Sequence, residues 1–129
     1  MSGSRVVDEL ESFLRGRSAE LTTPAAGECL ACFVVRMLDA FGCDNTLRWA
    51  RRFRDERAPR ATGLERRLGS MGGFCDCEIL LNGLSLVDRL RVVDPETEEL
   101  VWPKERPACG SVRPSSTQWC DNWQRQSRR

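Results

Sequence analysis

Four of the seven cysteines stand in two tight pairs, Cys29-Leu-Ala-Cys32 and Cys75-Asp-Cys77, in a chain without histidine. Four thiolates at about 2.3 Å close a tetrahedron around a structural zinc ion, and two separated dicysteine units are a common way to supply them. In Cys-x-x-Cys the backbone amides point into the turn and let both sulfurs converge. In an extended Cys-x-Cys the side chains at alternate positions leave on the same face. The predicted ligand set is therefore Cys29, Cys32, Cys75 and Cys77, a zinc staple between an early helix and a later segment. Such a site adds folding free energy directly, on the order of 10 kcal/mol in small zinc peptides. The plainer account treats the cysteines as small buried apolar residues.

The remaining three cysteines are less informative. Cys43 could replace Cys32, but a helix of about ten residues would hold it about 15 Å from Cys29. Cys109 and Cys120, eleven residues apart in the sequence, fit a second half-site, a labile disulfide or core filling, with core filling the default. Cys29 and Cys32 also allow thiol redox chemistry, because a helix N-terminus favours a thiolate. The segment before them, Thr-Thr-Pro-Ala-Ala-Gly-Glu, reads as loop, whereas thioredoxin-type pairs follow a strand.

Lack of histidine removes Ser-His-Asp and Cys-His machinery, His-Glu-x-x-His zinc sites and His-Cys-Cys deaminase sites. Gly69, Gly72 and Gly73 match neither a P-loop nor a dinucleotide fingerprint. An all-cysteine zinc site is coordinatively closed, so the reading leans away from an enzyme.

At 129 residues with a 40% apolar content, the chain is long enough for one core but gains from a cross-link. The net charge of +1 argues for neither nucleic acid nor membrane. Its distribution says more: arginines crowd 48–67, acids crowd 94–99, and the end is basic again. Arg48, Arg51, Arg52 and Arg54 are candidate contacts for a partner or for phosphates, with Trp49 beside them for stacking. Trp49 and Phe53, spaced i and i+4, suit a core stripe better. The opening MSGSRVVDEL lacks a signal peptide, no apolar run is long enough to span a bilayer, and an odd cysteine count defeats full disulfide pairing. A cytoplasmic location is expected.

The elements that must position these groups are mostly helical. Val6, Val7, Leu10, Phe13 and Leu14 predict an amphipathic helix over 5–15, stopped by Gly16. Thr23-Pro24 reads as cap and first residue of a second helix, whose stripe Leu30, Phe33, Val34, Met37, Leu38, Phe41 ends at Gly42. Asp44 caps a third helix with Trp49, Ala50 and Phe53 inward, closed by Pro59. Thr62-Gly-Leu-Glu65 predicts a capping box and a short fourth helix. Beyond the glycines, Phe74–Leu81 fits a strand or a helix. Residues 91–102 read as a hairpin around Asp94-Pro95. The fold expected is α+β, mainly helical, with four to five short helices, a small hairpin and the zinc staple. One globular domain is expected over 1–103, with an irregular wrap over 104–129 pinned by Trp119 and Trp123.

Cys29-Leu-x-Cys32, Arg36-Met-Leu, Phe-Gly-Cys-Asp-x-Thr-Leu-Arg-Trp (41–49), Arg60-Ala-Thr-x-Leu-Glu-Arg-Arg-Leu (60–68) and Gly-Gly-Phe-Cys-Asp-Cys-Glu-Ile (72–79) together resemble a small actinobacterial family, domain of unknown function 2695. The similarity covers about residues 27–83, with a looser echo in Leu-Val-Trp-Pro and Ser-Thr-Gln-x-Cys. It implies a soluble bacterial protein with a cysteine-bearing core and no assigned activity. The function expected from the residues is a non-enzymatic, zinc-stapled binding or regulatory module acting through protein contacts. The alternatives are nucleic-acid binding through the arginine-rich helices and redox activity at Cys29 and Cys32.

Overall fold

The computed structural model describes residues 2–126. It is α+β and mainly helical, with five helices and two small antiparallel strand pairs. The helices are α1 (Ser2–Leu21), α2 (Leu30–Phe41), α3 (Arg48–Arg57), α4 (Leu64–Ser70) and the single turn α5 (Asp76–Glu78). A π-helical turn, Ile79–Gly83, continues α5 into β1 (Leu84–Leu86). After a 3-10 turn at Asp88–Leu90 come β2 (Val92–Val93), β3 (Leu100–Val101) and β4 (Trp123–Arg125).

The apolar stripe of α2 is the centre of the core. Leu30, Phe33, Val34 and Met37 are buried against Trp49, Ala50 and Phe53 of α3, Leu64 and Leu68 of α4, and Ile79, Leu84 and Leu86. Phe33 and Phe53 meet with ring centroids 5.7 Å apart. Gly42 ends α2 at φ 80, the left-handed conformation that favours glycine, and its amide donates to the Leu38 carbonyl.

The start of α2 differs from the sequence expectation. It begins at Leu30, with Cys29 as cap, so Thr23-Pro24 lies in the preceding loop. That loop is held by a two-pronged pair: Arg36 Nε and Nη2 bond the Glu28 carboxylate at 3.0 and 2.9 Å, and Nη2 also reaches the Thr23 carbonyl at 3.1 Å. Glu28 Oε1 in turn accepts from the Ala25 amide. These bonds satisfy the backbone that a longer helix would have paired.

Three other local expectations are corrected. Helix α1 runs through Gly16 to Leu21, because an exposed glycine in a helix costs only about 1 kcal/mol. Gly63, not Thr62, stands at the start of α4, which has no side-chain cap. Asp44 bonds the amide and hydroxyl of Thr46 rather than capping α3. The cap of α3 comes from far along the chain: Asp76 Oδ2 accepts from the Trp49 amide at 2.9 Å and Oδ1 from the Ala50 amide at 3.1 Å. Asp76 is fully buried there. Burial raises its pKa, against the pull of the Trp49 and Ala50 amides.

The two strand pairs have different jobs. β2 and β3 form the expected hairpin, in register Val92↔Val101 and Val93↔Leu100. β1 and β4 pair Leu84↔Arg125, Ser85↔Gln124 and Leu86↔Trp123, and so bring the end of the described chain onto the core. The path to β4 is held by Arg106 on Asp39 at 2.9 Å, by Arg57 Nε on the Pro114 carbonyl at 2.9 Å, and by Arg67 on the Thr117 carbonyl at 2.6 Å. Three residues of the predicted basic tail, 127–129, lie outside the described residues.

Candidate metal centre

The C-terminal segment brings two cysteines to the first turn of α2. The sulfurs of Cys29, Cys32, Cys109 and Cys120 all lie within 4.8 Å of one another. Among the described residues no other set of three or more His, Cys, Asp or Glu meets that spacing. Two backbone features make the meeting possible. The Val112 amide donates to the Gly27 carbonyl at 2.9 Å, which lays Cys109 beside the cap of α2. Three residues beyond Cys120, pairing of β4 with β1 anchors the other side.

A tetrahedron of bonds near 2.3 Å has edges of about 3.8 Å. Cys32 and Cys120 already stand 3.9 Å apart, so closure on an ion asks only for shifts of about 1 Å among the others. Hydrogen bonding also suits thiolates. Cys29 Sγ accepts from the Cys32 amide at 3.3 Å, and Cys109 Sγ from the Cys29 and Ser111 amides at 3.2 and 3.4 Å. Cys32 Sγ accepts from the Trp123 indole at 3.3 Å. Amides of Asn122 and Gly110 favour the charged form of Cys120. Each sulfur therefore has an N–H directed at it, an arrangement that offsets the negative charge of a thiolate.

The thiols perturb one another strongly. The hydrogen bond with Cys32, working against burial, brings Cys29 down to about 5. The same bond, with burial, pushes Cys32 up. Burial first, then the nearby Cys29, raises Cys120. Such mutual coupling is expected where like groups share one small volume. A cation placed among them would remove the conflict by binding all four as thiolates.

The quartet drawn from the sequence is not the one the fold assembles. Cys29 and Cys32 meet Cys109 and Cys120, while Cys75 and Cys77 lie outside that group. The physical reason is Asp76. Its carboxylate is committed to the buried N-terminus of α3, so the residues flanking it are held at that end of the molecule. Moreover, Cys75 and Cys77 enclose a helical turn rather than a strand, and their side chains do not share one strand face. Sequence reasoning gave Cys109 and Cys120 too little weight. Local spacing carries no signal that would join them to Cys29 and Cys32, because the approach depends on strand pairing and on the Val112–Gly27 bond.

The four arginines named from the sequence are largely engaged within the chain. Arg51 pairs with Glu65, Arg52 with Glu56 at 3.1 Å, and Arg54 with Asp55 at 3.2 Å. Arg48 lies over the Trp49 ring at 4.1 Å from its centroid. Trp49 is buried, its indole N–H bonded to the Gly42 carbonyl, and so offers no stacking face for a base.

The class of protein so defined is a small helical scaffold with a four-cysteine group compatible with a metal ion. Residues 30–82 match the model of a family described as a protein of unknown function (DUF2695), which bears out the resemblance over that stretch. The matched stretch contains Cys32, Cys43, Cys75 and Cys77, while Cys29, Cys109 and Cys120 lie outside it. Comparison with curated proteins and with solved structures finds no match. No helix among the described residues is long and apolar enough to cross a membrane.

Proposed function

We propose that the protein is a non-enzymatic binding module, stapled by one structural zinc ion at Cys29, Cys32, Cys109 and Cys120, that acts through protein contacts. The carrying observation is the four-sulfur group with an N–H directed at each sulfur. Four thiolates fill a tetrahedral ion's coordination and leave no position for substrate, so the role fitting this donor set is structural. Zinc is favoured over redox-active metals or a disulfide because its closed shell needs no electron partner. A reducing cytoplasm, where thiols persist, suits the site.

The contact surface best suited to the role is α1. Val6, Val7, Leu10, Phe13 and Leu14 form an apolar stripe that is 52–63% exposed among the described residues. Exposed contiguous apolar surface on a helix marks an interaction face. Two copies laid stripe to stripe would cover both apolar faces, so the occupant proposed is a second copy of this chain.

Elemental analysis with native mass spectrometry of untagged protein tests the staple. One tightly held zinc per chain, lost when Cys109 and Cys120 are changed to serine, is expected. A metal-free folded chain carrying a reversible Cys29–Cys32 disulfide would instead support the redox alternative. For α1, sedimentation should show a concentration-dependent dimer that Phe13→Glu converts to monomer with its zinc retained. A monomer at every concentration would overturn the α1 assignment.

A further inference from the structure

Beside the four-sulfur group lies a cavity of about 220 Å³ that the metal centre does not use. Most of its wall is apolar: Val35 of α2, Leu86 of β1, Trp102, Pro103, Pro107 and Trp123. Val35, Leu86 and Trp123 are buried, while Trp102 is 40% exposed and stands at the open side. The Trp102 and Trp123 rings meet at 64° with centroids 5.5 Å apart, so a flat group entering the cavity finds an aromatic face and an aromatic edge. An apolar cavity of about 150 Å³ already takes benzene, and this one is about half as large again, room for a fused pair of rings.

The polar groups in the wall narrow the ligand class. Asn122 is 7% exposed, and its Nδ2 donates to the Ala108 carbonyl at 2.8 Å. That bond makes Oδ1 the free end, an acceptor to which no described residue donates and which is not sealed from solvent. Buried amide oxygens ordinarily have a partner, so the position suits a ligand donor. A charged ligand suits it poorly. Both guanidiniums in the wall are already answered by carboxylates: Arg36 bonds Glu28 at 3.0 and 2.9 Å, and Arg106 bonds Asp39 at 2.9 Å. Cys32 and Cys109 line the same space. An anion would face thiolates, and a cation would face two arginines. We propose that this cavity is a binding site for an uncharged aromatic molecule of one or two fused rings that carries an N–H or O–H. Its rings lie against Trp102 and Trp123, and its donor bonds Asn122 Oδ1. The site adds small-molecule recognition to the module and does not involve the α1 surface.

Indole is the probe, titrated by calorimetry into reduced protein of measured metal content. One molecule per chain is expected, with nitrogen-15 spectra showing shifts at the Trp102 and Trp123 indole N–H and the Asn122 side-chain amide and none at Trp49. Benzothiophene, the same shape without an N–H, should bind about tenfold more weakly, the loss of one hydrogen bond. Indole-3-carboxylate should also bind more weakly than indole. Trp102→Ala should weaken indole about tenfold with the fold retained. If that variant fails to fold, Val35→Phe, which fills the cavity from the opposite wall, should exclude indole. Absence of binding at saturating indole, equal affinity for benzothiophene, tighter binding of the carboxylate, or wild-type affinity in Trp102→Ala or Val35→Phe would overturn the proposal. Protein that holds its metal and takes no indole overturns the ligand site and leaves the staple standing.

Discussion

Changing Cys120 to serine is expected to empty the four-cysteine site and to unfold the molecule around it. Apparent binding free energies of structural zinc are about 10–16 kcal/mol at neutral pH, while a domain of this size has about 5–15 kcal/mol of total stability. Loss of one ligand therefore removes an amount comparable with the whole. Even a 5 kcal/mol loss lowers the melting temperature by roughly 15–25 °C in a chain of this length. The damage should start at the C-terminal segment, where the Trp123 indole bonds Cys32 Sγ and the Val87 and Gln126 amides bond the Asn122 and Gly83 carbonyls. Hydrogen exchange at Val87, Trp123 and Gln126 and tryptophan fluorescence would follow it. A strong chelator applied to wild type should reproduce the effect, and zinc should reverse it. A variant with unchanged melting temperature and unchanged metal content would remove the staple from consideration.

Replacement of Asp76 by alanine should cost about 2–4 kcal/mol at neutral pH, the second-largest effect of a single change. It removes a helix cap, usually about 1 kcal/mol, and strands the Trp49 and Ala50 amides in the interior, at about 1–3 kcal/mol for an unsatisfied donor. Relief of the buried carboxylate offsets part of this. Asp76→Asn, which keeps one acceptor, should fall between the two. The pH dependence runs opposite to that of a salt-bridged aspartate. Burial lifts the folded pKa above the ordinary 3.8, so the folded state holds the proton more tightly. The contribution is fully present below 3.8 and declines as pH rises through the folded value. The stability gap between wild type and Asp76→Asn should therefore narrow with rising pH. Urea titrations of zinc-saturated protein at several pH values measure it, and a gap that widens would contradict the assignment.

What could be read from the chain was whatever repeats at short range. The stripe Leu30, Phe33, Val34, Met37, Leu38, Phe41 predicts α2 because helical period places those residues on one face; the first four are buried, Leu38 is half-buried, and Phe41 at the end of the helix is exposed. Asp94-Pro95 between two apolar pairs predicts the hairpin, which forms in register. Helix ends were harder, since a cap can come from anywhere. Cys29 displaces Thr23 as the start of α2, and Asp76 reaches α3 from 27 residues away in sequence.

The cysteines divide along the same line. Their number, the close pairing of Cys29 with Cys32, and the absence of histidine determine thiolate chemistry without catalytic imidazole, and those follow from composition and spacing alone. Which sulfurs meet is decided by the fold. Cys109 and Cys120 reach Cys29 because β4 pairs with β1 and Val112 bonds Gly27. Cys75 and Cys77 stay outside that group because the carboxylate between them is committed to the N-terminus of α3. Sulfur neighbours far apart in sequence are chosen by strand pairing and by the burial of one aspartate. Both are long-range terms that local spacing does not contain.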